Sequence, residues 1–333
     1  MPYSMHQLME GRVIRLCMFL LLAMTSLGAP AQADTFPSRP IRLVIPFGAG
    51  GTADPLARML ADVIQKNTGA TIIIEARPGG GGIVGATDVL QTGKDGYALL
   101  LGANNSYVVN QFLFPKTTID PERDFSLVSI LVDQPQVVYV SANLPVKTLR
   151  DLLDYIKERP GKVNYASPGV GSAPHIAGEL VSALYDLKMV HVPYRGGAPA
   201  VTALLAGEVQ IYLASLSVGK AQIEAGKLKG LAVTAPMRLK GLPDVPTTKE
   251  AGAPEFVLSN WWGLAAPAGL PAAHVEWIQR EFTRALQEPA VKARLEDLGF
   301  SVYGSTPAQF TERVRQESAV YKKLIQERKL AIE

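Results

Sequence analysis

The stretch VIPFGAGGTAD, residues 44–54, carries an apolar run into a glycine-rich turn that ends in an Asp-Pro step. A strand that ends in this way leaves main-chain N–H groups free for a partner, because glycine lets the backbone approach a ligand closely. The apolar run IRLVIP, residues 41–46, has no charge after Arg42, which is typical of a buried parallel strand. We predict a strand, a glycine turn and a helix, with Asp54 as the N-cap and Pro55 at the first helical position.

The same arrangement recurs at ASPGVGSAP, residues 166–174, where an apolar run leads through glycines into a helix with Pro174 near its start. Each turn carries a hydroxyl, Thr52 in the first and Ser167 with Ser172 in the second. The helix N-terminus adds unsatisfied N–H groups and a partial positive charge, which favour an anion. Two such turns on facing lobes predict a cleft that holds one small anion from both sides. A plain strand-to-helix connection is the alternative for either turn alone.

Short apolar strands alternate with helical patterns along most of the chain, as expected for a parallel sheet with helices on its faces. The segment LVSILVDQPQVVYVS, residues 127–141, is extended and interrupted by Pro135, which suits a strand that passes between two lobes. A second crossing is indicated by FVLSNWWGLAAPAG, residues 256–269. Thr148 is predicted as the N-cap of the helix LRDLLDYIKER, residues 149–159. Two amphipathic helices, at roughly 271–287 and 307–329, close the chain, each with proline at its first position.

We therefore predict an α/β protein of two lobes with a ligand cleft between them. The chain crosses between the lobes near 133–140 and 256–264, and the C-terminal segment completes the first lobe. The predicted bounds are 1–33 for a signal peptide, 34–132 plus 261–333 for lobe 1, and 133–260 for lobe 2.

The N-terminal segment has the pattern of a cleavable secretory signal. Arg12 and Arg15 precede the apolar run LCMFLLLAM, and Ala31 and Ala33 occupy A-x-A positions, so we expect cleavage after Ala33 and a periplasmic protein. An uncleaved membrane anchor is the alternative. The one cysteine of the chain, Cys17, lies inside the apolar run, so cleavage would leave no thiol for a disulfide, a metal site or a nucleophile.

Composition and motifs favour binding over chemistry. The formal charge of +3 on 333 residues is small and forms no basic tract, so nucleic acid is not an expected partner. The chain has no G-x-S-x-G, H-E-x-x-H or G-K-[ST] phosphate loop, and no clustered metal-ligand spacing. His175 could face the cleft, and a structural or solvated role is the alternative for this lone histidine; no role is expected for His191 and His274. We predict no enzyme activity, no cofactor and no metal.

A dinucleotide-binding oxidoreductase is the alternative that the glycines raise. Gly48, Gly50 and Ala53 fit G-x-G-x-x-G/A, and Glu75 follows at about the spacing of a ribose-binding acid. Gly80, Gly82 and Gly85 give a second match. Export to a compartment poor in free nicotinamide cofactor and the lack of an evident proton-transfer pair argue against this alternative, as does the recurrence of the turn in the second lobe.

The chain also resembles the extracytoplasmic solute receptors of tripartite tricarboxylate transporters, the Bug-type family. The resemblance runs from about Phe36 to the C-terminus and is carried, in order, by PSRPIRLVIPFGAGGTAD, RPGGGGIVGA, DGYALLLG, VNYASPGVGSAPHIAGEL, VHVPYRGGAPAVTALLAGEVQ and LPDVPTTKEAG. It implies a type II periplasmic-binding-protein fold, a bound carboxylate, and a membrane permease to which the closed receptor delivers that carboxylate. A ligand sensor or scaffold without a transport role is a further alternative, and we expect a monomer.

The resemblance also implies a set of ligand contacts. In that family the carboxylate is held largely by backbone and hydroxyl groups of the two turns, partly through ordered water. By position, the first-lobe contacts would be Phe47, Gly48, Ala49, Gly50, Thr52 and Asp54. Those of the second lobe would be Ser167, Gly169, Gly171, Ser172, Ala173 and His175. The walls are expected at Asn104 and Asn105 and at Ala214 and Ser215, and Tyr194 is a further candidate.

Two positions depart from the pattern of many relatives. Ala49 stands where many have proline, which changes the stiffness of the loop more than its chemistry. Ala214 stands where many have aspartate, an acid that could pair with a ligand ammonium. Its absence favours a plain organic acid, such as a dicarboxylate or an aromatic acid, over an amino acid.

Overall fold

The computed structural model of the protein describes residues 36–48, 53–256 and 258–331. The predicted signal peptide lies outside these residues. The chain divides into Met1–Ser38 and Arg39–Glu333, and the second unit contains every element described below. Within the described part of the chain, no helix is both long enough and apolar enough to cross a membrane.

The strands form one mixed, ten-stranded sheet. They are Ile41–Ile45 (β1), Ile72–Ala76 (β2), Ala98–Ala103 (β3), Phe125–Ser141 (β4), Val163–Ser167 (β5), Met189–Pro193 (β6), Ile211–Ser215 (β7), Leu228–Val233 (β8), Ser259–Pro267 (β9) and Ser301–Val302 (β10). Their order is β2-β1-β3-β9-β4-β7-β5-β6, and β8 and β10 both pair with β4.

Helices connect and cover the strands. They are Ala53–Thr68 (α1), Ile83–Thr92 (α2), Asn110–Leu113 (α3), Pro121–Asp124 (α4), Leu149–Lys157 (α5), Ala173–Leu184 (α6), Gly197–Ala206 (α7), Leu216–Glu224 (α8), Ala272–Leu286 (α9), Pro289–Asp297 (α10) and Pro307–Arg328 (α11). A short 3₁₀ turn at Gly80–Gly82 precedes α2, and a π-helical turn at Asn105–Val109 follows β3. The predicted cap Thr148 forms a full capping box with Asp151 at the start of α5.

Two groups of parallel strands each place the loops that follow their strands at one edge of the sheet. β1 pairs in parallel with β2 and β3, and β5 pairs in parallel with β6 and β7. Because parallel neighbours end at the same edge of a sheet, the residues after β1 and β3 lie side by side. The same holds for the residues after β5 and β7.

The long strand β4 joins the two groups. Its residues from Phe125 to Pro135 pair with β9, and those from Gln136 to Val140 pair with β7. The predicted crossing strands are thus confirmed, including the place of Pro135 within the first of them. The domain bounds that we placed at 132/133 and 260/261 stay a prediction.

Aromatic side chains pack α11 onto the first group of strands. The ring of Tyr107 stacks on that of Trp261 with centroids 5.8 Å apart, and Phe310 meets both rings edge-on at 5.2 and 5.3 Å. The three side chains are fully buried, and the Tyr107 hydroxyl donates to the carbonyls of Leu100 and Gly263. Burial of such large rings is a main source of stabilisation in a core.

Three local predictions differ from the structure. α9 begins at Ala272, so Pro271 is its N-cap and not its first helical residue. The α10 helix and the β10 strand were not predicted between the two closing helices. α1 begins at Ala53, one residue before the predicted cap Asp54.

Candidate ligand-binding site

The first glycine turn is described up to Gly48 and again from Ala53. Of the predicted contacts in this turn, Ala49, Gly50 and Thr52 lie outside the described residues. The phenyl ring of Phe47 meets the indole of Trp262 edge-on, with centroids 5.5 Å apart and an interplanar angle of 81°. This contact joins the end of β1 to the crossing strand β9.

Asp54 lies in the first turn of α1 and is not its N-cap. Its carboxylate accepts hydrogen bonds from Nε and Nη2 of Arg58, at 2.9 and 3.2 Å. A carboxylate here is favourable because it faces the positive end of the helix dipole. The pairing with Arg58 gives Asp54 a structural partner within its own helix.

The second glycine turn is held by its own hydroxyls. Ser167 Oγ donates to the carbonyl of Gly169 at 2.9 Å and accepts from the N–H of the same residue at 3.1 Å. Ser172 Oγ donates to that carbonyl as well, at 2.6 Å. Ser172 is the N-cap of α6, yet its side chain makes no capping hydrogen bond. The serines thus fix the turn, while Ala173 opens a helix whose first N–H groups have no side-chain cap.

Backbone conformation explains the glycines of this turn. Gly169 has φ 141° and Gly171 has φ 79°, a region that L side chains rarely adopt. At Gly171, an added Cβ would also lie 2.7 Å from Leu113 Cδ2. The second turn therefore packs against the segment that follows β3.

Two stacked histidines contact the second glycine turn. His175 is 5% exposed, and its Nδ1 accepts a hydrogen bond from the N–H of Gly171 at 3.1 Å. Its ring stacks on that of His191 with centroids 4.0 Å apart, and Nε2 of His191 lies 2.6 Å from Ser167 Oγ. Because His175 occupies the Gly171 N–H, this N–H serves the turn itself.

Burial keeps both imidazoles neutral. It lowers the pKa of His175, against the smaller opposing effect of the Glu179 carboxylate. Burial, together with the nearby His175, lowers the pKa of His191 to about 3. His191 was not predicted as part of the site, because its contact depends on the pairing of Tyr165 with His191 between β5 and β6. No short-range pattern in the sequence reports that register.

The predicted wall residues occupy different environments. Asn104 and Asn105 are 4% and 3% exposed, and Asn105 Nδ2 donates to the carbonyl of Gly81 at 2.7 Å. Ala214 is buried in an apolar cluster. Ser215 is the N-cap residue of α8, and its side chain makes no capping hydrogen bond.

Tyr194 is tied to the second turn through the backbone. Its N–H donates to the carbonyl of Ser167 at 2.8 Å, which fixes the start of the loop after β6 beside the end of β5. The contacts predicted for the wall residues and for Tyr194 stay predictions.

Polar side chains near the crossing strands were missed by the sequence analysis. Gln134 and Gln136 flank Pro135 in a mostly apolar strand, and both are 2% exposed. Two glutamines within a buried strand are the signal that could have identified them, since buried amides need hydrogen-bond partners.

Glu75, the acid that would bind the ribose of a dinucleotide, pairs with arginines in this structure. Glu75 accepts two hydrogen bonds of 2.9 Å from Arg42, and Arg77 lies 3.3 Å away. The hydrogen bonds from Arg42 hold the pKa of this carboxyl below its usual range. The Glu75 carboxylate is thus paired with two arginines, Arg42 and Arg77. Among the described residues, no three His, Cys, Asp or Glu side chains come together as a metal site.

Comparison with known proteins gives a consistent result. Residues 56–330 match the model of the tripartite tricarboxylate transporter family receptor. A "UPF0065 protein in tcbD-tcbE intergenic region" of Pseudomonas sp. (strain P51) is 36% identical over 313 residues, which cover 93% of each chain.

Solved structures match over nearly the whole chain. The periplasmic binding protein BugD superimposes with a TM-score of 0.79 at 29% identity, over 90% of this chain and 100% of that one. MatC from Rhodopseudomonas palustris, with bound malate, gives 0.79 at 31% identity, over 87% and 100%. Rpa4515 from R. palustris, with adipate, gives 0.80 at 30% identity, over 87% and 97%.

Proposed function

Because the chain belongs to the family of tripartite tricarboxylate transporter receptors, with a type II periplasmic-binding-protein fold, we propose that it is a periplasmic receptor that delivers a small organic carboxylate to a membrane permease. Two structural relatives, at 31% and 30% sequence identity, hold malate and adipate, which supports a carboxylate ligand for this chain. The receptor acts as a monomer, without cofactor or metal, and catalyses no reaction.

One observation supports this function above the others. The turn after β5 is fixed by two serine hydroxyls and a histidine, yet the helix that it opens has no side-chain cap. A rigid turn that leads into uncapped N–H groups is suited to an anion, because binding then requires little reorganisation.

The proposed ligand contacts are those predicted from the sequence, with His175 and Ser167 acting through the turn that they hold. They are Phe47, Gly48, Ala49, Gly50, Thr52, Asp54, Asn104, Asn105, Ser167, Gly169, Gly171, Ser172, Ala173, His175, Tyr194, Ala214 and Ser215.

Binding would couple to closure of the two lobes. The anion first binds the turn of one lobe, and the other turn closes over it by rotation about β4 and β9. Closure removes water from the cleft, which strengthens the charge-assisted N–H···O bonds to the carboxylate. A permease could then distinguish the loaded from the empty receptor by its closed form.

Thermal melting with a panel of carboxylates tests the function. A ligand at about 100 times its Kd stabilises the folded state by about 2.7 kcal/mol, so its melting temperature should rise with log concentration. A panel without effect, beside a shift with a nicotinamide dinucleotide, would instead favour the oxidoreductase alternative. A signalling receptor without a transport role would bind the same acids but show no contact with permease subunits.

Two glycine variants test the role of the second turn. Gly161 and Gly171 have φ of 72° and 79°, and only at Gly171 would an added Cβ meet another residue within 4 Å. Both alanine variants should lose about 1–2 kcal/mol of stability through left-handed strain. Gly171→Ala should in addition weaken carboxylate binding about tenfold, because the added Cβ would press on Leu113 and displace the turn, at a cost of about one hydrogen bond to the ligand. Equal affinity in the two variants would contradict a role of this turn in binding.

A further inference from the structure

A patch of buried amides lies where β4 passes from β9 to β7. It consists of Asn104, Gln134 and Gln136, each at most 4% exposed, and the partly buried Asn260. Each side chain has one amide atom without a hydrogen-bond partner among the described residues: Asn104 Oδ1, Gln134 Nε2, Gln136 Oε1 and Asn260 Oδ1. Because buried polar atoms in folded proteins are paired, four unpaired atoms in one patch indicate a group that binds there.

Direct contacts connect this amide patch to the predicted ligand contacts. The ring of Phe47, at the end of β1, packs against Trp262, whose indole N–H donates to Gln134 Oε1 at 3.3 Å. On the other side, Gln136 pairs with Ser215 at the end of β7. A ligand held between the two glycine turns would therefore lie close to this amide patch.

The orientation of each amide follows from its existing partner. An indole N–H can only donate, so Gln134 must direct its oxygen at Trp262 and leave its NH₂ group free. Asn260 Nδ2 donates to the same oxygen at 3.4 Å, which leaves Asn260 Oδ1 free. Asn104 Nδ2 donates to the carbonyl of Ser259 at 3.5 Å, which leaves Asn104 Oδ1 free. These three side chains thus present one donor and two acceptors of fixed direction, whereas no hydrogen bond among the described residues fixes the amide of Gln136, whose Oε1 is the fourth unpaired atom.

We propose that the amide patch binds a hydroxyl group on the carbon chain of the carboxylate, so that the receptor selects hydroxy acids. A hydroxyl both donates and accepts, and so it matches this mixed set. A second carboxylate only accepts and would face two amide oxygens, whereas an ammonium only donates and would face the NH₂ of Gln134. A methylene would leave every group unpaired. This proposal rests on the proposed function, because it concerns the other part of the same ligand.

Calorimetric titration with matched pairs of acids tests the proposal. The pairs are propionate and lactate, succinate and malate, glutarate and 2-hydroxyglutarate, and phenylacetate and mandelate. At least one hydroxy acid should bind about tenfold or more tightly than its plain partner, because a site built to hydrogen-bond a hydroxyl discriminates strongly against the analogue without it. If acids bind but no hydroxy acid binds more tightly than its plain partner, the proposal alone is overturned. If no acid binds, the proposed function falls with it.

A pair of asparagine variants assigns the preference to the patch. Asn260→Leu removes one free acceptor and should abolish most of the hydroxyl preference, measured as the ratio of the affinities of each hydroxy acid and its plain partner. Asn164→Leu is the matched control, because Asn164 is partly buried on β5 and donates to the carbonyl of Glu208 at 3.3 Å, away from the patch. A preference that survives Asn260→Leu would overturn the assignment. If this variant does not fold, the ratios measured on the unaltered protein still decide.

Discussion

At the residue scale, the imidazoles of His175 and His191 lie face to face behind the second glycine turn. The ring of Tyr165 stacks on that of His191 with centroids 5.0 Å apart, and the hydroxyl of Tyr165 donates to Glu179 at 2.7 Å. Both imidazoles must stay neutral, because Nδ1 of His175 accepts a hydrogen bond and two stacked positive charges would repel each other. The turn therefore depends on two neutral imidazoles, which the unfolded chain would protonate in mild acid.

We predict that stability falls between pH 7 and pH 5. The folded-state pKa of His191, about 3, lies below its ordinary value of 6.5, and that of His175 is lowered too. The unfolded chain thus binds more protons below pH 6.5, and stability present above that pH is lost as the pH falls toward the folded pKa. Since His191 is only partly buried, the loss by pH 5 should be on the order of 1 kcal/mol.

Urea denaturation at several pH values measures this effect. Carboxyl groups of ordinary pKa contribute mainly below about pH 4.5, and the raised pKa of Glu317 would increase stability as the pH falls, so a loss of stability between pH 7 and pH 5 reports the histidines. His191→Phe keeps a ring in the stack but cannot titrate, and its stability should fall less over this window. A flat profile for the unaltered protein, or an equal fall in the variant, would contradict the account.

At the element scale, α11 is fastened to both crossing strands by a cluster of charges. Arg313 donates to both carboxylate oxygens of Asp133 on β4, at 2.8 and 3.1 Å, and to Glu317 at 2.8 Å. Glu317 also accepts from the indole N–H of Trp261 on β9, at 2.9 Å. Burial raises the pKa of Glu317 even though Arg313 opposes that shift. The single arginine thus balances two acids at the junction of three elements.

We predict that Arg313→Met destabilises the fold by about 2–3 kcal/mol, because it leaves two partly buried acids without a counter-charge. Arg315 on the same helix is the control: its side chain is 62% exposed and pairs with Glu122. Arg315→Met should cost less than about 1 kcal/mol. Chemical denaturation at pH 7 measures both values, and similar costs for the two variants would refute the structural role given to Arg313.

These elements also show what the sequence could predict and what it could not. Thr148 and Pro307 mark helix starts by local chemistry, and both positions were predicted correctly. The α10 helix was missed because only Val291 and Leu295 are buried, which is too little periodicity to read. The pairing of Arg313 with Asp133 spans 180 residues and follows from strand order, so no local pattern could predict it. The same reason applies to His191 and to the amide orientations.

At the scale of the whole molecule, the glycine turns belong to different parts of one continuous structure. β4 pairs with β9 along its first part and with β7 and β8 along its second. One cluster of buried side chains includes Leu100 of β3 and Phe310 of α11, on the side of the first group of strands. It also includes Tyr165 of β5 and Phe256, which lies beside residues of β6 and β7 in the second group. A shared strand and a shared core couple the two groups, so that one cannot lose its packing without exposing apolar surface of the other.

We therefore predict that Arg39–Glu333 unfolds in a single calorimetric transition, although chains of this size often show several. Phe256→Ala and Phe310→Ala form a matched pair, because each removes a ring at most 1% exposed from a different group of the same cluster. Each should cost about 3–5 kcal/mol and lower the temperature of the whole transition. A bound carboxylate should raise that same transition in both variants. Two separate heat-absorption peaks, of which Phe256→Ala moves only one, would show that the groups unfold independently and that closure over a ligand is not transmitted through β4.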